Sequence, residues 1–466
     1  MQEVQTCGKE ETMFKKILIA NRGEIAVRII RACREMGILT VAVCSEADKE
    51  ALHAQLADET ICIGPAPAKD SYLNMESIIS ATLVSGAEAI HPGFGFLSEN
   101  SKFVKMCNQC NITFIGPSAD TIDKMGNKSE ARNTMMKAGV PVVPGTKEPV
   151  YDAETGERLA QEIGYPIMIK ASAGGGGKGM RIAESKEEFK EKFETAQKEA
   201  EKGFGDNTMY LERYVKNPRH IEIQILADQQ GNTIYLGERD CSIQRRHQKM
   251  IEEAPSCAID ETLRKQMGES AVKASKTVGY YSAGTIEFLM DENNQFYFME
   301  MNTRIQVEHP VTEMITGIDL IKEQIKIAAG ESLNIKQEDV QIHGHAIECR
   351  INAEDPSKNF MPCPGTVEYI HFPGGKGIRV DSALYAGCQI PPYYDSMVAK
   401  LIVHDETREL AIKKMRSALG ELIVQGVNTN LDYQYEILKD EDYVRGNVDT
   451  GFIEKFQKRL EEQESQ

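Results

Sequence analysis

Over residues 14–126 the chain alternates between short apolar runs and stretches with apolar positions at helical spacing. The runs "FKKILIA" and "TVAVCS" predict buried strands, and "EIAVRIIRACREMG" between them predicts a helix that Gly37 ends. One face of this helix carries four apolar side chains: Ile25, Ile29, Cys33 and Met36. "AEAIHPGFGFLSEN" repeats the order of strand, glycine-rich loop and helix. Strands that alternate with helices predict a parallel sheet.

The pattern changes twice further along the chain. Residues 127–142 predict a helical connector, and residues 143–215 predict a compact unit with one exposed helix. From His220 onward apolar residues recur at every second position, so that "HIEIQILADQQGNTIYLGERD" predicts a hairpin around a Gly-Asn turn and "GTIEFLMDENNQFYFMEMN" a second hairpin. Residues 340–455 continue with strands and end in polar helices. These strands predict an antiparallel sheet, so the fold class is mixed α/β and α+β.

Composition and charge narrow the class of protein. The 466 residues suffice for roughly three domains, and contents of 41% hydrophobic and 27% charged residues are typical of a soluble globular chain. A net charge of −17 argues against nucleic acid or an anionic membrane as a partner. No apolar run is long enough to cross a bilayer. The polar N-terminus lacks the regions of a signal peptide, so we expect a cytoplasmic protein in which residues 1–13 are a disordered extension.

The stretch "SAGGGGKGM" has the composition of a phosphate-binding loop, with four consecutive glycines: Gly174, Gly175, Gly176 and Gly177. It fails the Walker A pattern because Gly179 follows Lys178 where Ser or Thr is needed. The dinucleotide pattern requires a helix next, whereas "MRIAES" predicts a strand. A strand–loop–strand flap over a triphosphate remains, with Lys170 on the preceding strand within reach of the phosphates. The alternative is a plain surface turn.

The second hairpin predicts a divalent-metal site. A two-residue Asn-Asn turn in "DENNQ" would pair Glu292 with Gln295. That register sets Glu287 opposite Glu300, and two like charges directly opposed are destabilising unless a cation lies between them. Asn302 follows on the same face as Glu300, and two carboxylates with an amide suit Mg²⁺. The alternative is a slipped register that leaves one glutamate in solvent.

Polar residues continue beyond this hairpin in "TRIQVEHP". In an extended chain Arg304, Gln306 and Glu308 share one face, where the arginine could hold a small oxyanion and the glutamate could act as a general base. Alternating polar residues that face solvent are the other interpretation. Upstream, "RRHQK" concentrates cations that suit either a phosphate or carboxylate ligand or a solvated strand end: Arg245, Arg246, His247 and Lys249.

Long motifs along the chain resemble those of biotin carboxylases, which are ATP-grasp enzymes. They are "ANRGEIAVRI", "HPGFGFLSEN", "FIGPS", "KASAGGGGKGMR", "ERDCSIQRRHQKMIEEAP", "EMNTRIQVEHPVTE" and "GHAIECRINAED", and the resemblance runs from about Phe14 to the 450s. It implies an N-terminal Rossmann-like domain, a connector, a mobile ATP-grasp lid and a C-terminal ATP-grasp domain at 14–126, 127–142, 143–215 and 216–460, the last including a biotin carboxylase C region at about 340–455.

The same resemblance assigns roles to single positions. ATP contacts are implied at Lys128, Lys170, Gly174 to Gly177, Glu212, Arg213, Val215, His220, Gln244, His247, Glu287, Leu289 and Glu300. The implied ligands of Mg²⁺ (or Mn²⁺) are Glu287 and Glu300, with Asn302 close by. The implied bicarbonate pocket is Lys249, Arg304, Gln306 and Val307, with Glu308 as the base. Stabilisation of the biotin enolate is implied for Arg350, and a contact with biotin for Phe94 and Gly95.

The implied reaction is the ATP- and bicarbonate-dependent carboxylation of biotin on a biotin carboxyl carrier protein, through carboxyphosphate. This is the first half-reaction of acetyl-CoA carboxylase in fatty acid synthesis, with carboxyltransferase subunits as further partners and a homodimer as the expected assembly. Because no "AMKM"-like biotin-attachment motif is present, we expect a separate subunit. The alternatives are the same subunit of another acyl-CoA or pyruvate carboxylase, and a non-catalytic ATP-binding scaffold that would lack Glu308, Lys249 or Arg350; all three are present.

Overall fold

The structure is a computed structural model that describes residues 13–171, 180–204 and 206–464. The chain divides into two compact units, and the described residues of the first fall within Met1–Val140, Arg219–Phe288 and Glu300–Gln466, those of the second within Pro141–Pro218 and Leu289–Met299. Two predictions concern residues outside the described part, namely the glycines Gly174, Gly175, Gly176 and Gly177 and nearly all of the extension 1–13. The domain boundaries given above stay predictions.

The first unit begins with a parallel five-stranded sheet, as predicted. Its strands are β1 (Lys16–Ile19), β2 (Leu39–Ser45), β3 (Glu59–Gly64), β4 (Ala89–His91) and β5 (Thr113–Phe114). Its helices are α1 (Gly23–Glu35), α2 (Leu52–Leu56), α3 (Met75–Ser85), α4 (Ser101–Gln109), α5 (Ala119–Gly126) and α6 (Lys128–Lys137). The strand order is β3-β2-β1-β4-β5, and all four neighbouring pairs are parallel.

The apolar face of α1 explains why this sheet joins the rest of the first unit. Ile25 and Ile29 are buried in one cluster with Ile17 of β1. The same cluster contains Leu236 and Ile305, which lie more than a hundred residues further along the chain. The N-terminal sheet and the later part of the first unit therefore share a hydrophobic core.

The second unit contains a three-stranded antiparallel sheet and two helices. In chain order these are α7 (Ala153–Ile163), β6 (Ile167–Ala171), β7 (Met180–Ala183), α8 (Lys186–Phe204) and β8 (Met209–Arg213), and the strand order is β7-β6-β8. Because β6 pairs antiparallel with β7, with Lys170 opposite Met180, the glycine stretch does connect two strands. The predicted strand after the glycines is confirmed, and the helix that a dinucleotide loop needs is not there.

An eight-stranded sheet dominates the remaining chain. Its first part comprises β9 (Arg219–Ala227), β10 (Thr233–Arg245), β11 (Gln248–Ala254), α9 (Glu261–Thr277), β12 (Ser282–Met290), β13 (Phe296–Asn302), α10 (His309–Thr316) and α11 (Leu320–Ala328). Then follow β14 (His345–Asn352), β15 (Glu354–Asp355), β16 (Met361–Pro362), β17 (Gly365–Thr366), β18 (Tyr369–His371), β19 (Ile378–Ser382), β20 (Gln389–Ile390), β21 (Met397–Asp405), α12 (Arg408–Glu421), β22 (Ile423–Gln425), α13 (Leu431–Ile437), α14 (Glu441–Arg445) and α15 (Phe452–Glu464). The order is β13-β12-β9-β10-β11-β14-β21-β19, and β9, β10, β11, β14, β21 and β19 pair antiparallel, as predicted. Among the described helices, none is both long and apolar enough to traverse a bilayer.

Both predicted hairpins exist, but their turns were predicted wrongly. In the first hairpin Asp228 bonds to Asn232 through their backbones at 3.0 Å, and in the second Asp291 bonds to Gln295 at 2.9 Å. Each loop therefore holds three residues, because the aspartate carboxylate accepts backbone N–H groups two and four residues further on, all at 2.9 Å. The second hairpin thus starts one residue away from the register used to set Glu287 opposite Glu300.

Gly284→Ala is expected to lower the free energy of unfolding by about 1–3 kcal/mol. A Cβ at Gly284 would lie 2.6 Å from the ring of Tyr280, which is buried and donates its hydroxyl to the Ala283 carbonyl at 2.7 Å. Urea unfolding measures the change. As a control, Gly420→Ala places a methyl group in open space on α12 and should be neutral or stabilising by up to about 1 kcal/mol. Equal stability of the two variants would contradict this packing argument.

Candidate active site

Lys249 on β11 is the centre of a buried charge cluster. Its ammonium group contacts carboxylates from three elements: Glu222 of β9, Glu287 of β12 at 3.0 Å and Glu308 at the N-terminus of α10 at 2.8 Å. Burial by itself lowers the pKa of Lys249, but Glu222 and then the other two carboxylates outweigh burial and raise it well above its ordinary value. The lysine is therefore charged and acts as the common counter-ion of three acids.

The segment before α10 is a loop, so the extended strand predicted for Arg304, Gln306 and Glu308 is wrong. β13 ends at Asn302, and α10 begins at His309 with a proline in its first turn. A proline favours the first turn of a helix because it has no N–H to leave unpaired there. The loop still brings the predicted groups together: Arg304 Nη1 donates to Gln306 Oε1 at 3.2 Å, while Glu308 faces Lys249.

Glu308 lies between two cations. One oxygen accepts from Lys249 Nζ at 2.8 Å, and the other accepts from Arg350 Nη2 at 2.9 Å. Burial and the nearby Glu222 raise its pKa, but Lys249 and Arg350 outweigh both and lower it. The carboxylate is therefore ionised and able to accept a proton.

Arg350 on β14 connects Glu308 to a further carboxylate. Its Nε donates to Glu252 Oε1 at 2.5 Å. Burial alone would lower the pKa of Arg350, but Glu252 and then Glu308 raise it. The guanidinium is therefore held at two points by side chains from β11 and α10.

The predicted metal ligands Glu287 and Glu300 have the chemistry that a magnesium ion needs. Burial would raise the pKa of Glu287, but Lys249 and then His220, whose Nε2 lies 3.0 Å from the carboxylate, hold it well below its ordinary value. The carboxylates of Glu287 and Glu222 also raise the pKa of His220 to about 9, against the lowering effects of burial and of the Lys249 ammonium. Glu300 is half-buried and lies 3.3 Å from the Lys128 ammonium. Both carboxylates are hard oxygen ligands that suit Mg²⁺.

Asn302 connects Glu287 to Arg304. Its amide nitrogen donates to Glu287 Oε1 at 2.7 Å, and its oxygen accepts from Arg304 Nη2 at 3.0 Å. Gln306 donates to the same Glu287 oxygen at 3.0 Å. The two amides therefore orient the Glu287 carboxylate, and the metal ligands Glu287, Glu300 and Asn302 stay a prediction.

The predicted cation cluster "RRHQK" divides at a tight turn. Arg246 and His247 both have positive φ values, +50° and +65°, and link β10 to β11. Arg245 stacks on the Phe360 ring at 4.0 Å and donates to Asn359. His247 is exposed, so Lys249 is the member of the cluster that reaches the buried acids.

In the second unit, Lys170 forms an ion pair with Glu212 across the neighbouring strands β6 and β8. Arg213 lies 3.6 Å from the Asp291 carboxylate. Val215 is buried and Leu289 is partly exposed.

The remaining predicted contacts lie at three places in the first unit. Gln244 is buried on β10 opposite Lys249. The carbonyl of Phe94 accepts from Asn21 at 2.7 Å, and Gly95 is exposed with a φ of +68°. The carbonyl of Val307 accepts from a buried lysine of β21, Lys400, at 2.9 Å.

Sequence reasoning missed five charged side chains that are fully buried around these groups: Glu222, Arg239, Glu252, Glu348 and Lys400. Arg239, for example, donates to Glu222 of β9 and to the hydroxyl groups of Thr285 on β12 and Thr312 on α10. Three of them, Glu222, Glu348 and Lys400, are flanked on both sides by apolar residues, as in "HIEIQIL". A charged residue inside such a strand is the signal that could have identified them, because burial of an ionised group requires a partner.

Comparison with known proteins assigns the fold to a family. Residues 13–122 match "Biotin carboxylase, N-terminal domain", residues 127–336 match "Carbamoyl-phosphate synthase L chain, ATP binding domain", and residues 348–455 match "Biotin carboxylase C-terminal domain". Biotin carboxylase 1 of Bacillus subtilis (strain 168) is 59% identical over 445 residues, which are 95% of this chain and 99% of that protein. The chain belongs to the biotin carboxylase family.

Other biotin carboxylases agree with this result. The biotin carboxylase of Haemophilus influenzae is 55% identical over 95% of this chain and 99% of that protein. A biotin carboxylase–beta-gamma-ATP complex from Campylobacter jejuni has a TM-score of 0.88 at 50% identity and covers 95% of this chain and 99% of that one. The biotin carboxylase domain dimer of Hydrogenobacter thermophilus 2-oxoglutarate carboxylase, solved with MgADP, ADP and bicarbonate, has a TM-score of 0.86 at 53% identity and covers 95% and 98%. The predicted family and ATP-grasp architecture are confirmed.

Proposed function

We propose that this chain carboxylates biotin on a carrier protein, with ATP and bicarbonate as co-substrates and ADP and phosphate as products. The observation that carries the proposal is the position of Glu308 between Lys249 and Arg350, 2.8 and 2.9 Å away. One ionised acid beside two cations fits a reaction that deprotonates an anion and then stabilises a new oxyanion. A non-catalytic scaffold has no need of this arrangement.

Lys249, Arg304 and Gln306 would hold bicarbonate beside Glu308, together with the backbone of Val307. A bicarbonate ion bound there brings a negative charge next to Glu308, which raises the pKa of the acid and makes it a better base. The deprotonated bicarbonate then attacks the γ-phosphate of ATP to give carboxyphosphate. Bound Mg²⁺ would neutralise phosphate charge, and Glu287 and Glu300 are the residues that would hold it.

Arg350 would serve the second stage of the reaction. Carboxyphosphate yields CO₂ and phosphate, and phosphate takes the N1′ proton of biotin. The ureido oxygen then carries negative charge, which the Arg350 guanidinium can stabilise until N1′ attacks CO₂. Phe94 and Gly95 are proposed to contact biotin, and the nucleotide contacts are proposed for the residues named above.

The assay for this function is phosphate release from ATP with Mg²⁺, measured with and without bicarbonate and free biotin. Release that depends on both is expected, with bicarbonate required and with a much slower rate when biotin is left out. Release that ignores biotin would point to another acceptor of the carboxyl group and would overturn the proposal.

We propose acetyl-CoA carboxylase as the assembly, with a biotin carboxyl carrier protein and carboxyltransferase subunits as partners, and a homodimer as the state of this chain. The dimeric Hydrogenobacter domain supports the last point. The biotin carboxylase subunit of a pyruvate carboxylase is 52% identical with a TM-score of 0.88, so the final acceptor is the open alternative. Purification with its carrier protein identifies the assembly. Cytoplasmic localisation stays a prediction.

A further inference from the structure

The two carboxylates that bond to Arg350 belong to different structural elements, a strand and a loop. Glu252, which accepts from Nε at 2.5 Å, lies in β11, which is paired on both sides within the eight-stranded sheet. Glu308, which accepts from Nη2 at 2.9 Å, ends the loop before α10. Nη1 donates no hydrogen bond to any residue in the described part of the chain. The guanidinium is therefore fixed on one side and keeps a free donor on the other.

A second buried acid faces Glu252. Glu348 lies directly opposite it on the neighbouring antiparallel strand, and neither side chain is exposed. Both Glu348 oxygens lack a hydrogen-bond partner among the described residues, whereas Glu252 bonds to Arg350. Two buried carboxylates side by side cannot both stay ionised, so the unpartnered Glu348 carries the proton and Glu252 the charge. Burial raises the pKa of both acids, but Arg350 opposes burial at Glu252 and limits its pKa to about 7, whereas the pKa of Glu348 lies well above its ordinary value, so Glu252 is the more acidic of the two.

This arrangement has a consequence when Glu308 acts as the base. The proton moves from the bicarbonate oxygen to a Glu308 oxygen, so Arg350 loses the charge of one of its two partners. Glu252 keeps its charge, since its bond to Arg350 Nε takes no part in that proton transfer. Arg350 therefore stays in place while its Nη2 becomes available to a new oxyanion.

We propose that Glu252 is a positioning residue that anchors Arg350 through Nε, so that the guanidinium can pass from Glu308 to the enolate oxygen of biotin within one turnover. The inference rests on the proposed function. It assigns Glu252 to the biotin stage alone, because formation of carboxyphosphate uses Glu308 and Lys249 and leaves Glu252 unchanged.

Glu252→Gln tests the proposal by separating the two stages. The expected result is a fall in biotin-dependent kcat of more than about tenfold, since small displacements of a positioned group have effects of this order. The KM values for ATP and bicarbonate, and the bicarbonate-dependent phosphate release measured without biotin, should stay within about twofold of wild type. A residue with only a structural role would alter both stages equally.

Glu253→Gln is the matched control. Glu253 is the next residue of β11, is equally buried, and pairs with Arg408 at 2.6 Å and His345 at 2.8 Å, away from Arg350. Loss of the Glu253 charge should lower stability without lowering biotin-dependent kcat per folded molecule. The folded fraction is measured by calorimetric titration with ATP. If Glu252→Gln does not fold, Glu252→Asp keeps the charge but withdraws it from Nε and should still lower biotin-dependent kcat selectively.

Three outcomes are distinguishable. Selective loss of the biotin stage in the Glu252 variants supports the proposal. A biotin-dependent kcat that falls less than about tenfold in Glu252→Gln, or an equal fall in both stages, overturns it while the proposed function stands. Wild-type protein that releases phosphate without any dependence on biotin overturns the proposed function itself.

Discussion

Replacing Glu308 with glutamine is expected to lower biotin-dependent turnover by about 10³-fold, within the range for loss of a general base, while ATP still binds. The Glu308 oxygens accept from Lys249 and Arg350 at 2.8 and 2.9 Å, and the neighbouring acid Glu222 is already paired with Arg239 and Lys249. An amide cannot take the bicarbonate proton, and its NH₂ group would face a cation. The variant therefore cannot form deprotonated bicarbonate, the nucleophile, and it also loses the carboxylate that orients Lys249 and Arg350.

Phosphate release at varied bicarbonate and biotin concentrations measures this loss, and calorimetry measures the affinity for ATP. Glu313→Gln is the control on the same helix, because Glu313 is also buried but pairs with Arg28 and Arg379 at 3.0 and 2.7 Å. The control should lose stability and keep its turnover per folded molecule. Turnover of Glu308→Gln within about tenfold of wild type would show that another group deprotonates bicarbonate.

The fold was predictable where apolar spacing decides it, and the turns were not. Apolar runs and helical spacing predicted the parallel sheet and both hairpins, because burial favours the same periodicity in any context. Asp228 and Asp291 changed the turns through side-chain bonds to the backbone, which compete with turn propensities of Asn and Gly. The loop at Arg304 was predicted as a strand because alternating polar residues occur both in strands and in irregular segments before a helix, and the sequence pattern does not distinguish them.

The candidate site was predictable only in part. Lys249 and Glu308 were singled out from local charge patterns, whereas Arg350 was found through resemblance, because nothing in "AIECRIN" distinguishes it. Glu222 and Glu252 were missed for a physical reason. The arginine and the lysine that bond to Glu222 come from strands 17 and 27 residues away, and the cation that faces Glu252 comes from a strand 98 residues away, and sequence spacing does not reveal which strands come close together.

Lys249→Met is expected to lower the free energy of unfolding by about 3–5 kcal/mol at neutral pH, and to abolish biotin-dependent turnover. Methionine has a similar length but leaves three buried carboxylates without their shared counter-ion: Glu222, Glu287 and Glu308. An uncompensated buried charge costs more than a lost surface ion pair. Lys414→Met, which removes a partly exposed pair with Asp405 at 2.9 Å and a hydrogen bond to the His404 carbonyl at 2.7 Å, should cost only about 1–2 kcal/mol.

The loss in Lys249→Met should depend on pH in one direction. In the wild type the pKa values of Glu287 and Glu308 are lowered despite burial, chiefly by Lys249, so their stabilising contribution is present above the unfolded pKa and is lost as pH falls through the folded one. Without Lys249, burial raises these pKa values above the unfolded value. As pH falls, these carboxylates in the folded variant bind protons, and the stability of the variant approaches that of wild type. Urea unfolding should therefore give a smaller difference from wild type at about pH 5 than at about pH 7.5.

The double variant Lys249→Met with Glu222→Gln separates stability from activity. Removing Glu222 together with the lysine leaves one fewer unpaired charge, so part of the unfolding free energy should return. Turnover should not return, because bicarbonate still lacks the cation that holds it. Recovery of both would mean that Lys249 serves only to neutralise Glu222. If the single variant Lys249→Met loses less than about 1 kcal/mol of unfolding free energy at every pH, other cations already compensate the three buried acids: Arg239, His220 and Arg350. Lys249 would then be needed only to bind bicarbonate.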